Sequence, residues 1–309
     1  MDLNSIFDLS HAELKAILER AAELKRERKE GLKVRTDLEG KTLALIFEKP
    51  STRTRVSFEV AMRELGGNVL SLNWNELQLG RGERVQETAK VLSSYVDAVM
   101  IRAYRHATVE EFAHYASIPV INGLTDLEHP CQTLADLMAI LEYKQQLAGV
   151  NVAWFGDGNN VCNSLIGGAA LTSMNLRVAC PKGYEPDGGI VERAKKMGGE
   201  VLITANAEEA AIDADVLYTD VWVSMGDEAE REQRMKDLQI YQLNEDLVKR
   251  AKKDAIIMHC MPVHISEEMT EAVMNSVNSV IFEQAENRLH AQKALLLHLL
   301  FSTKTPLIK

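Results

Sequence analysis

The feature that most constrains the fold of this chain is a regular alternation between short apolar runs and amphipathic helical patterns. In the first half, an apolar run at 42–47 precedes a helical pattern at 51–65, and apolar runs at 98–101 and 118–121 flank a helical pattern at 108–116. Strands that alternate with helices are typical of parallel sheets, because each helix returns the chain to the edge where the next strand starts. The alternation therefore predicts an α/β fold.

A second series of the same kind follows a long helical pattern that starts at Pro130 and reaches Gln146. It comprises strand patterns at 151–155, 177–180, 200–204, 216–220, 255–260 and 279–284, and helical patterns at 161–173 and 189–198. An apolar helical pattern from Glu286 closes the chain. For 309 residues, at about 150 residues per domain, we predict two domains, each a mainly parallel β-sheet flanked by helices, with a boundary near residue 145.

The charge balance and the chain start argue against several classes of protein. The chain has 35 Lys and Arg against 45 Asp and Glu, and its net charge of −10 does not suit a nucleic-acid or anionic-lipid surface. The first residues lack the basic and apolar regions of a signal peptide, and no run approaches the roughly 18 apolar residues of a membrane span. We therefore expect a cytoplasmic protein without nucleic-acid or membrane partners.

The four cysteines predict reduced thiols. Cys131, Cys162, Cys180 and Cys260 form no Cys-x-x-Cys pair, and a chain of this length builds its core without disulfides. We therefore expect neither disulfides nor a zinc centre.

Polar residues gather where predicted strands end, which is the edge at which parallel sheets bind ligands. The segment 51–55, Ser-Thr-Arg-Thr-Arg, follows the strand at 42–47 and opens a helix, so its N–H groups and the helix dipole favour an anion. At about 100° per residue, Arg53 and Arg55 point about 200° apart, so both cannot face one ligand. We expect Arg53 to bind the anion; the alternative is a solvated capping turn with two surface arginines.

Two further candidates lie in the same half. The segment 129–132, His-Pro-Cys-Gln, stands at a loop-to-helix junction, where an imidazole and an amide would flank a helix N-terminus. The alternative there is a structural cap. Arg102 directly follows the strand pattern at 98–101 and is a third candidate for ligand binding. The alternative interpretation is an ordinary surface arginine.

The segment 156–160, Gly-Asp-Gly-Asn-Asn, has part of a dinucleotide-binding pattern. Its third glycine position holds Val161, and the segment 180–182, Cys-Pro-Lys, stands where an NAD ribose would require a carboxylate. A nucleotide-binding oxidoreductase is therefore only an alternative of a different enzyme class.

A last pair of strand ends lies in the more acidic half. Residues 1–140 carry 18 basic and 21 acidic side chains, against 17 and 24 in the remainder. Asp220 and Cys260 each end a strand pattern, so they could meet at one crevice. A buried cysteine is more often inert, and alternation along a strand disfavours a dyad of Cys260 with His259. His259 and His264 also lack a convincing metal-ligand spacing, so we expect no metal.

Six motifs together resemble the aspartate/ornithine carbamoyltransferase family. They are FEKPSTRTR at 47–55, HPCQ at 129–132, GDGNN at 156–160, DVWVSMG at 220–226, HCMP at 259–262 and ENRLH at 286–290. The similarity runs through nearly the whole chain in the family's order, and the motifs at 220–226 and 259–262 point to the branch that uses ornithine. The resemblance implies a carbamoyl phosphate-binding domain at 1–145, joined by the C-terminal helix 286–309, and an ornithine-binding domain at 146–285.

The resemblance also implies the residues that would contact each substrate. Carbamoyl phosphate would contact Ser51, Thr52, Arg53, Thr54, Gln78, Arg102, His129, Pro130, Cys131, Gln132 and Arg288, with the carbonyls of Cys260 and Met261. Ornithine would contact Asn160, Asp220, Ser224 and Met225, and the catalytic roles would fall to Asp220, Cys260, Arg102 and His129.

The implied reaction carbamoylates the side-chain amine of L-ornithine and gives L-citrulline and phosphate, as in arginine biosynthesis, without a cofactor. Direct attack by the amine accounts for these residues, so Cys260 is not expected to act as a covalent nucleophile. The family also implies a homotrimer or an assembly of trimers.

Three positions depart from the family's pattern: Met261 replaces a leucine, Asp227 replaces a glutamine, and Leu77 replaces the serine that precedes Gln78. A sibling enzyme that acts on aspartate would need cationic side chains at the second-substrate site, where this chain has Asp220. Putrescine or an acylated ornithine is an alternative acceptor. A non-catalytic binding protein is the remaining alternative.

Overall fold

The computed structural model describes residues 1–223 and 228–301 of the chain. Strands in these residues are β1 (Thr42–Phe47), β2 (Asn68–Asn73), β3 (Ala98–Arg102), β4 (Val120–Leu124), β5 (Asn151–Phe155), β6 (Asn175–Ala179), β7 (Glu200–Thr204), β8 (Val216–Thr219) and β9 (Ile256–His259). The α-helices are α1 (His11–Lys29), α2 (Thr52–Glu64), α3 (Val85–Leu92), α4 (His106–Tyr115), α5 (Pro130–Lys144), α6 (Asn160–Thr172), α7 (Gly188–Lys196), α8 (Ala207–Ala211), α9 (Arg231–Leu238), α10 (Glu245–Val248), α11 (Glu271–Met274) and α12 (Ile281–Phe301). Short 3-10 helices lie at Ile6–Asp8, Trp74–Glu76, Gln78–Arg81, Glu228–Glu230 and Gln239–Tyr241.

The chain divides into two compact units. One unit comprises Met1–Ala135 together with the chain from Asn287 onward, and the other comprises Asp136–Glu286. Both divisions fall inside helices, at α5 and at α12. None of the helices in the described ranges is long and apolar enough to span a bilayer.

The first unit contains a parallel sheet with the strand order β2-β1-β3-β4. β1 and β3 lie at its centre and are buried almost throughout, which explains why they read as continuous apolar runs in the sequence. Phe47 pairs with Arg102, so the loops that follow both strands begin at the same edge. The chain passes from β1 to β2 on one side of β1 and then to β3 on its other side, so the strand order reverses between β1 and β3. This reversal makes the edge a topological switch point, where open α/β sheets bind ligands.

The second unit contains a parallel sheet with the strand order β7-β6-β5-β8-β9. The strand order reverses between β5 and β8, which gives this sheet its own switch point. Thr219 pairs with His259 in the register of β8 and β9. The residues after them, Asp220 and Cys260, therefore leave the sheet side by side.

The predicted α/β class, with parallel sheets flanked by helices, is confirmed. The strand predicted at 279–284 is wrong, because Ile281 begins α12 and Gln284 N donates to Val280 O at 2.8 Å. Ser279 makes only an isolated bridge with Ile257. The β-branched residues before the helix produced the strand signal, although the chain enters its last helix there.

Candidate active site

The N-terminus of α2 is the first part of the candidate site. Ser51 caps this helix, and its Oγ accepts a hydrogen bond from Thr54 N at 3.2 Å. Thr52 is exposed on the first turn, whereas the side chain of Thr54 is buried. Since the helix starts just beyond the carboxyl end of β1, its dipole and N–H groups lie at the switch point of the first sheet, where an anion is favoured.

Arg288, on α12, joins three segments of the first unit. Its guanidinium donates to Gln132 Oε1 at 2.7 Å and to Thr54 Oγ1 at 3.3 Å, and its Nη1 lies 3.4 Å from His129 Nε2. All four side chains are buried, with Arg288 only 5% exposed. These three partners carry no negative charge, and a guanidinium at this position is suited to bind a phosphate or carboxylate.

His129 is held neutral within this group. Burial lowers its pKa well below 6.5, and the positive charges of Arg288, Arg102 and Arg53 lower that pKa further. At pH 7 the imidazole is therefore uncharged. Because Nε2 faces the Arg288 donor, we assign the single ring proton to Nδ1. A neutral imidazole of this kind can donate one hydrogen bond to a carbonyl oxygen.

The structure distinguishes the two arginines of the 51–55 segment. The positive charge of Arg53 acts on His129, as described above. The Arg55 guanidinium instead lies over the ring of Phe47, with its carbon 4.9 Å from the ring centroid. Arg102 is 8% exposed at the end of β3 and also acts on His129. Arg53, Arg102 and Arg288 thus form the cationic surroundings of one imidazole.

Three other predicted contacts, Cys131, Pro130 and Gln78, lie outside the Arg288 group. The Cys131 thiol is buried and donates to Asn122 O at 3.4 Å, and burial raises its pKa to about 12, so the side chain belongs to the core. Pro130, in turn, serves as the first residue of α5. Gln78 is exposed on a 3-10 turn.

The second part of the candidate site lies at the switch point of the second sheet. The Cys260 thiol donates to Asp220 Oδ1 at 2.7 Å, and Val221 N donates to the same oxygen at 2.8 Å. Asn159 Nδ2 donates to the other carboxylate oxygen at 2.8 Å. Asp220 is 7% exposed and Cys260 is half-buried. Asp220 and Cys260, which the sequence placed at the ends of two strands, are therefore joined by a direct hydrogen bond.

Asn159 has two roles that the sequence analysis did not identify. Its Oδ1 accepts from Val161 N and Cys162 N, so it caps α6, while its amide nitrogen holds Asp220. Asn160, which was predicted to contact a substrate, is the first residue of α6 and is partly buried. The preference for asparagine at helix N-caps is the signal that could have found Asn159.

His259 orders the chain on the other side of Cys260. Its Nδ1 accepts from Met261 N at 2.8 Å, and its Nε2 faces Glu268 Oε1 at 3.1 Å. The proton therefore sits on Nε2, and the buried Glu268 carboxylate fixes the ring. Met261 has a φ of 62°, a conformation that a side-chain-bearing residue rarely adopts. Glu268 lies nine residues from His259 in the chain, so no local pattern pointed to it.

Two groups of three side chains have the composition of metal ligands. In one, a ligand atom from each of Asp220, His259 and Cys260 lies within 4.8 Å of the others, so strand alternation separates His259 from Cys260 less than expected. Both nitrogens of His259 are already hydrogen-bonded. The second group contains His264, Glu267 and Glu268.

Two predicted substrate contacts, Ser224 and Met225, lie outside the described residues. The segment just before them is anchored by Arg234, whose Nε donates to Trp222 O at 2.7 Å and whose Nη2 pairs with Asp157.

Gly158 follows Asp157 in the turn between β5 and α6, where an added Cβ would meet the backbone of Pro186 and Glu185. This turn therefore requires glycine.

Comparison with known proteins gives consistent results for both halves. Residues 1–142 match the family model described as "Aspartate/ornithine carbamoyltransferase, carbamoyl-P binding domain", and residues 148–299 match the one described as "Aspartate/ornithine carbamoyltransferase, Asp/Orn binding domain". The chain is 55% identical over 298 residues to an ornithine carbamoyltransferase of Archaeoglobus fulgidus, covering 96% of this chain and 97% of that protein. It is 54% identical over 299 residues to one of Methanosarcina mazei, covering 97% and 99%.

Solved structures agree with these relatives. The ornithine carbamoyltransferase of Pyrococcus furiosus matches with a TM-score of 0.92 and 53% identity, covering 96% of this chain and 95% of that chain. The enzyme of Thermus thermophilus matches with a TM-score of 0.88 and 45% identity, covering 97% and 98%.

Proposed function

The chain belongs to the aspartate/ornithine carbamoyltransferase family, and from that premise we propose that it carbamoylates L-ornithine. It is a carbamoyltransferase: it transfers the carbamoyl group of carbamoyl phosphate to the side-chain amine of L-ornithine, giving L-citrulline and phosphate. The observation that carries this proposal is the buried Arg288, held by Thr54, Gln132 and His129. These residues come from three of the family's motifs and form a cationic site for an anionic substrate.

Carbamoyl phosphate binds, in this proposal, to the first unit. Its phosphate is held by Ser51, Thr52 and Arg53 at the N-terminus of α2, where the helix dipole and the guanidinium both favour the charge. Gln132 and Arg288 complete the phosphate and carbamoyl contacts. The carbonyls of Cys260 and Met261 accept from the carbamoyl amino group.

The carbamoyl carbonyl becomes an oxyanion when the amine attacks. Thr54, Arg102 and His129 stabilise that oxyanion, with the neutral His129 donating one hydrogen bond and Arg102 supplying the charge. Removal of one such donor costs about 10²–10³ in kcat in well-studied enzymes. The phosphate then leaves toward the α2 N-terminus, where its charge is already compensated.

Ornithine binds, in this proposal, to the second unit through Asn160, Asp220, Ser224 and Met225. Its side-chain amine is mostly protonated in water and must lose a proton before it attacks. Asp220 attracts the ammonium and orients it, and Cys260 is held at 2.7 Å from the same carboxylate. The free amine attacks the carbamoyl carbon directly, so no covalent intermediate on Cys260 and no cofactor take part.

We also propose the assignment of each substrate to a part of the chain: carbamoyl phosphate to residues 1–145 with the helix 286–309, and ornithine to residues 146–285. The matches to the two family models support it. A cytoplasmic location is supported by the four cysteines, which are thiols rather than disulfides. We further propose a homotrimer or an assembly of trimers, in which the exposed Gln78 reaches a neighbouring copy. Sedimentation equilibrium tests the trimer.

A product assay tests the proposed function. Purified protein is incubated with carbamoyl phosphate and, in parallel, ornithine, putrescine, N-acetylornithine or aspartate. Ornithine is expected to give ureido product at a rate far above the others. Faster turnover of putrescine or of an acylated ornithine than of ornithine identifies that amine as the carbamoyl acceptor instead. Absence of product with all four amines contradicts carbamoyl transfer.

A further inference from the structure

A tight turn beyond Pro262 brings one imidazole and two carboxylates together. Glu267 N donates to His264 O at 3.0 Å, and Ser266 N donates to Met269 O at 2.9 Å. The turn folds the chain so that one ligand atom each of His264, Glu267 and Glu268 lies within 4.8 Å of the other two. None of these three side chains has a role in the proposed transfer reaction.

Three polar atoms of this turn are buried and have no hydrogen-bond partner among the described residues. They are His264 Nδ1, Glu267 Oε2 and Glu268 Oε2. Glu268 is 0% exposed, and only its Oε1 is used, by His259 Nε2 and by His264 N at 2.6 Å. Buried polar atoms are normally hydrogen-bonded, because an unsatisfied one costs about 1–3 kcal/mol. Three such atoms in one turn favour a ligand that satisfies them.

We propose that His264, Glu267 and Glu268 bind a divalent cation of the Zn²⁺ or Co²⁺ type. One imidazole and two carboxylates are a ligand set that such borderline ions accept. Charge favours a cation, because two carboxylates face the turn and, within the described part of the chain, a single guanidinium, that of Arg231 on Glu267 Oε1, pairs with them. The cation joins the two carboxylates and removes the cost of leaving their oxygens unsatisfied.

The three ligand atoms lie within 4.8 Å of one another, so the side chains must close around an ion to bind it. His264 Nδ1 and Glu267 Oε2 are 3.8 Å apart. Ligand atoms at about 2.0–2.1 Å from a tetrahedral zinc are separated by about 3.3 Å, so they must approach by about half an ångström. The side chains of His264 and Glu267 are 42% and 19% exposed, which gives an ion access from solvent. Glu268 forms the buried wall of the site.

The cation site shares Glu268 with the chain around Cys260. Glu268 Oε1 fixes His259, and His259 in turn accepts from Met261 N. A cation on Oε2 therefore holds the carboxylate that orients this segment.

Cobalt titration tests the site on the full chain after treatment with a chelator. Co²⁺ binding is followed by its visible absorption and by calorimetry in the wild-type protein and in H264A, E267Q, C260S and E271Q. Glu271 is exposed at the start of α11 and serves as the matched glutamate control. Circular dichroism verifies that each variant is folded.

The proposal requires one equivalent of Co²⁺ in the wild type, C260S and E271Q, with an affinity at least about tenfold lower in both H264A and E267Q. Absence of binding in the folded wild type overturns it. Binding that disappears in C260S and persists in H264A also overturns it, because the ion then occupies the Asp220, His259 and Cys260 group. Citrulline formation is measured separately, so failure of the cation site and failure of the proposed transfer are distinguishable.

Discussion

The Cys260 thiol donates a hydrogen bond to Asp220 Oδ1 across 2.7 Å, from the end of one strand to the end of its neighbour. The parallel register of β8 and β9, in which Thr219 pairs with His259, places these residues side by side. Asn159 holds the second oxygen of the same carboxylate. A buried carboxylate fixed on both oxygens is suited to orient an ammonium group and keep it in place while it loses its proton.

Replacement of Asp220 by asparagine tests the role of this carboxylate. Asp220→Asn keeps the shape and removes the charge, so kcat with ornithine is expected to fall by about 10²–10⁴. Carbamoyl phosphate binding, measured by calorimetry, is expected to be unchanged, because the residues assigned to that substrate are chiefly in the first unit. Asp246→Asn is the control, since that side chain is 92% exposed. Loss of carbamoyl phosphate affinity with ornithine turnover retained contradicts the assignment.

Replacement of Arg53 tests the anion site. Arg53→Ala is expected to weaken carbamoyl phosphate binding by about 1.5–3 kcal/mol, the usual value for a hydrogen bond to a charged group. Arg55→Ala is the matched control, because the Arg55 guanidinium lies over Phe47 instead. Calorimetry measures the dissociation constant of carbamoyl phosphate for each variant. Equal values for Arg53→Ala and Arg55→Ala show that Arg53 does not bind this substrate.

Asn159 offers a pair of substitutions that separate its two contacts. Asn159→Ser keeps a good helix N-cap and loses the donor to Asp220, so stability is expected to change by less than about 0.5 kcal/mol while ornithine turnover falls. Asn159→Ala loses both contacts and is expected to cost about 1 kcal/mol of unfolding free energy as well. Urea unfolding and steady-state kinetics measure the two effects. Wild-type turnover in Asn159→Ser shows that the hydrogen bond to Asp220 is dispensable.

The lowered pKa of His129 predicts a pH dependence of stability. The unfolded chain takes up a proton at His129 near pH 6.5, whereas the folded chain does not until a much lower pH. The unfolded state therefore gains protons first, and stability falls as the pH drops below about 6.5. His129 is therefore expected to make the protein less stable at pH 5.5 than at pH 7.5, by on the order of 1 kcal/mol.

Urea unfolding of His129→Asn and of the wild type at these two pH values measures this contribution. The variant is expected to lose less stability on acidification, whatever its stability at pH 7.5. His114→Asn, at an exposed position of α4, is the control and is expected to follow the wild type. Parallel losses in His129→Asn and the wild type contradict a neutral, buried His129.

Gly158 predicts a stability effect at the turn that precedes α6. Gly158→Ala places a Cβ 2.7 Å from the carbonyl carbon of Glu185 and against the Pro186 nitrogen, so at least about 1–3 kcal/mol of unfolding free energy is expected to be lost. Gly188→Ala is the control, because nothing lies within 4 Å of its added Cβ. Equal stabilities of the two variants in urea contradict the close packing of this turn.

The sequence patterns identified the buried strands well because these strands are apolar on both faces. The buried strands at 42–47 and 151–155 have the predicted bounds. The strand at 200–204 also has them, although it is an edge strand without a buried residue, because it contains the apolar run Val-Leu-Ile. β2 at 68–73 was missed because it is an edge strand in which only two of the six residues are even partly buried. The 279–284 segment was misassigned because β-branched residues there precede a helix rather than form a strand.

In the candidate site, residues that belong to short sequence motifs could be predicted, whereas residues that act through contacts between separate segments could not. The motif that contains Arg53 and the strand ends at Asp220 and Cys260 are visible as short patterns, and the structure brings Asp220 and Cys260 into contact. Glu268 contacts His259 from nine residues further along the same loop, and no spacing rule relates these two residues. Contacts made by the chain folding back over many residues require the structure.

The most direct test of carbamoyl transfer follows the carbonyl carbon itself. Carbamoyl phosphate labelled with ¹³C at its carbonyl is incubated with ornithine and the protein, and NMR follows the label while phosphate is measured in parallel. The proposed function predicts that the label enters the ureido carbon of citrulline, with one phosphate released for each citrulline formed. Carbamoyl phosphate that decomposes only at its uncatalysed rate, with no label in citrulline, contradicts it.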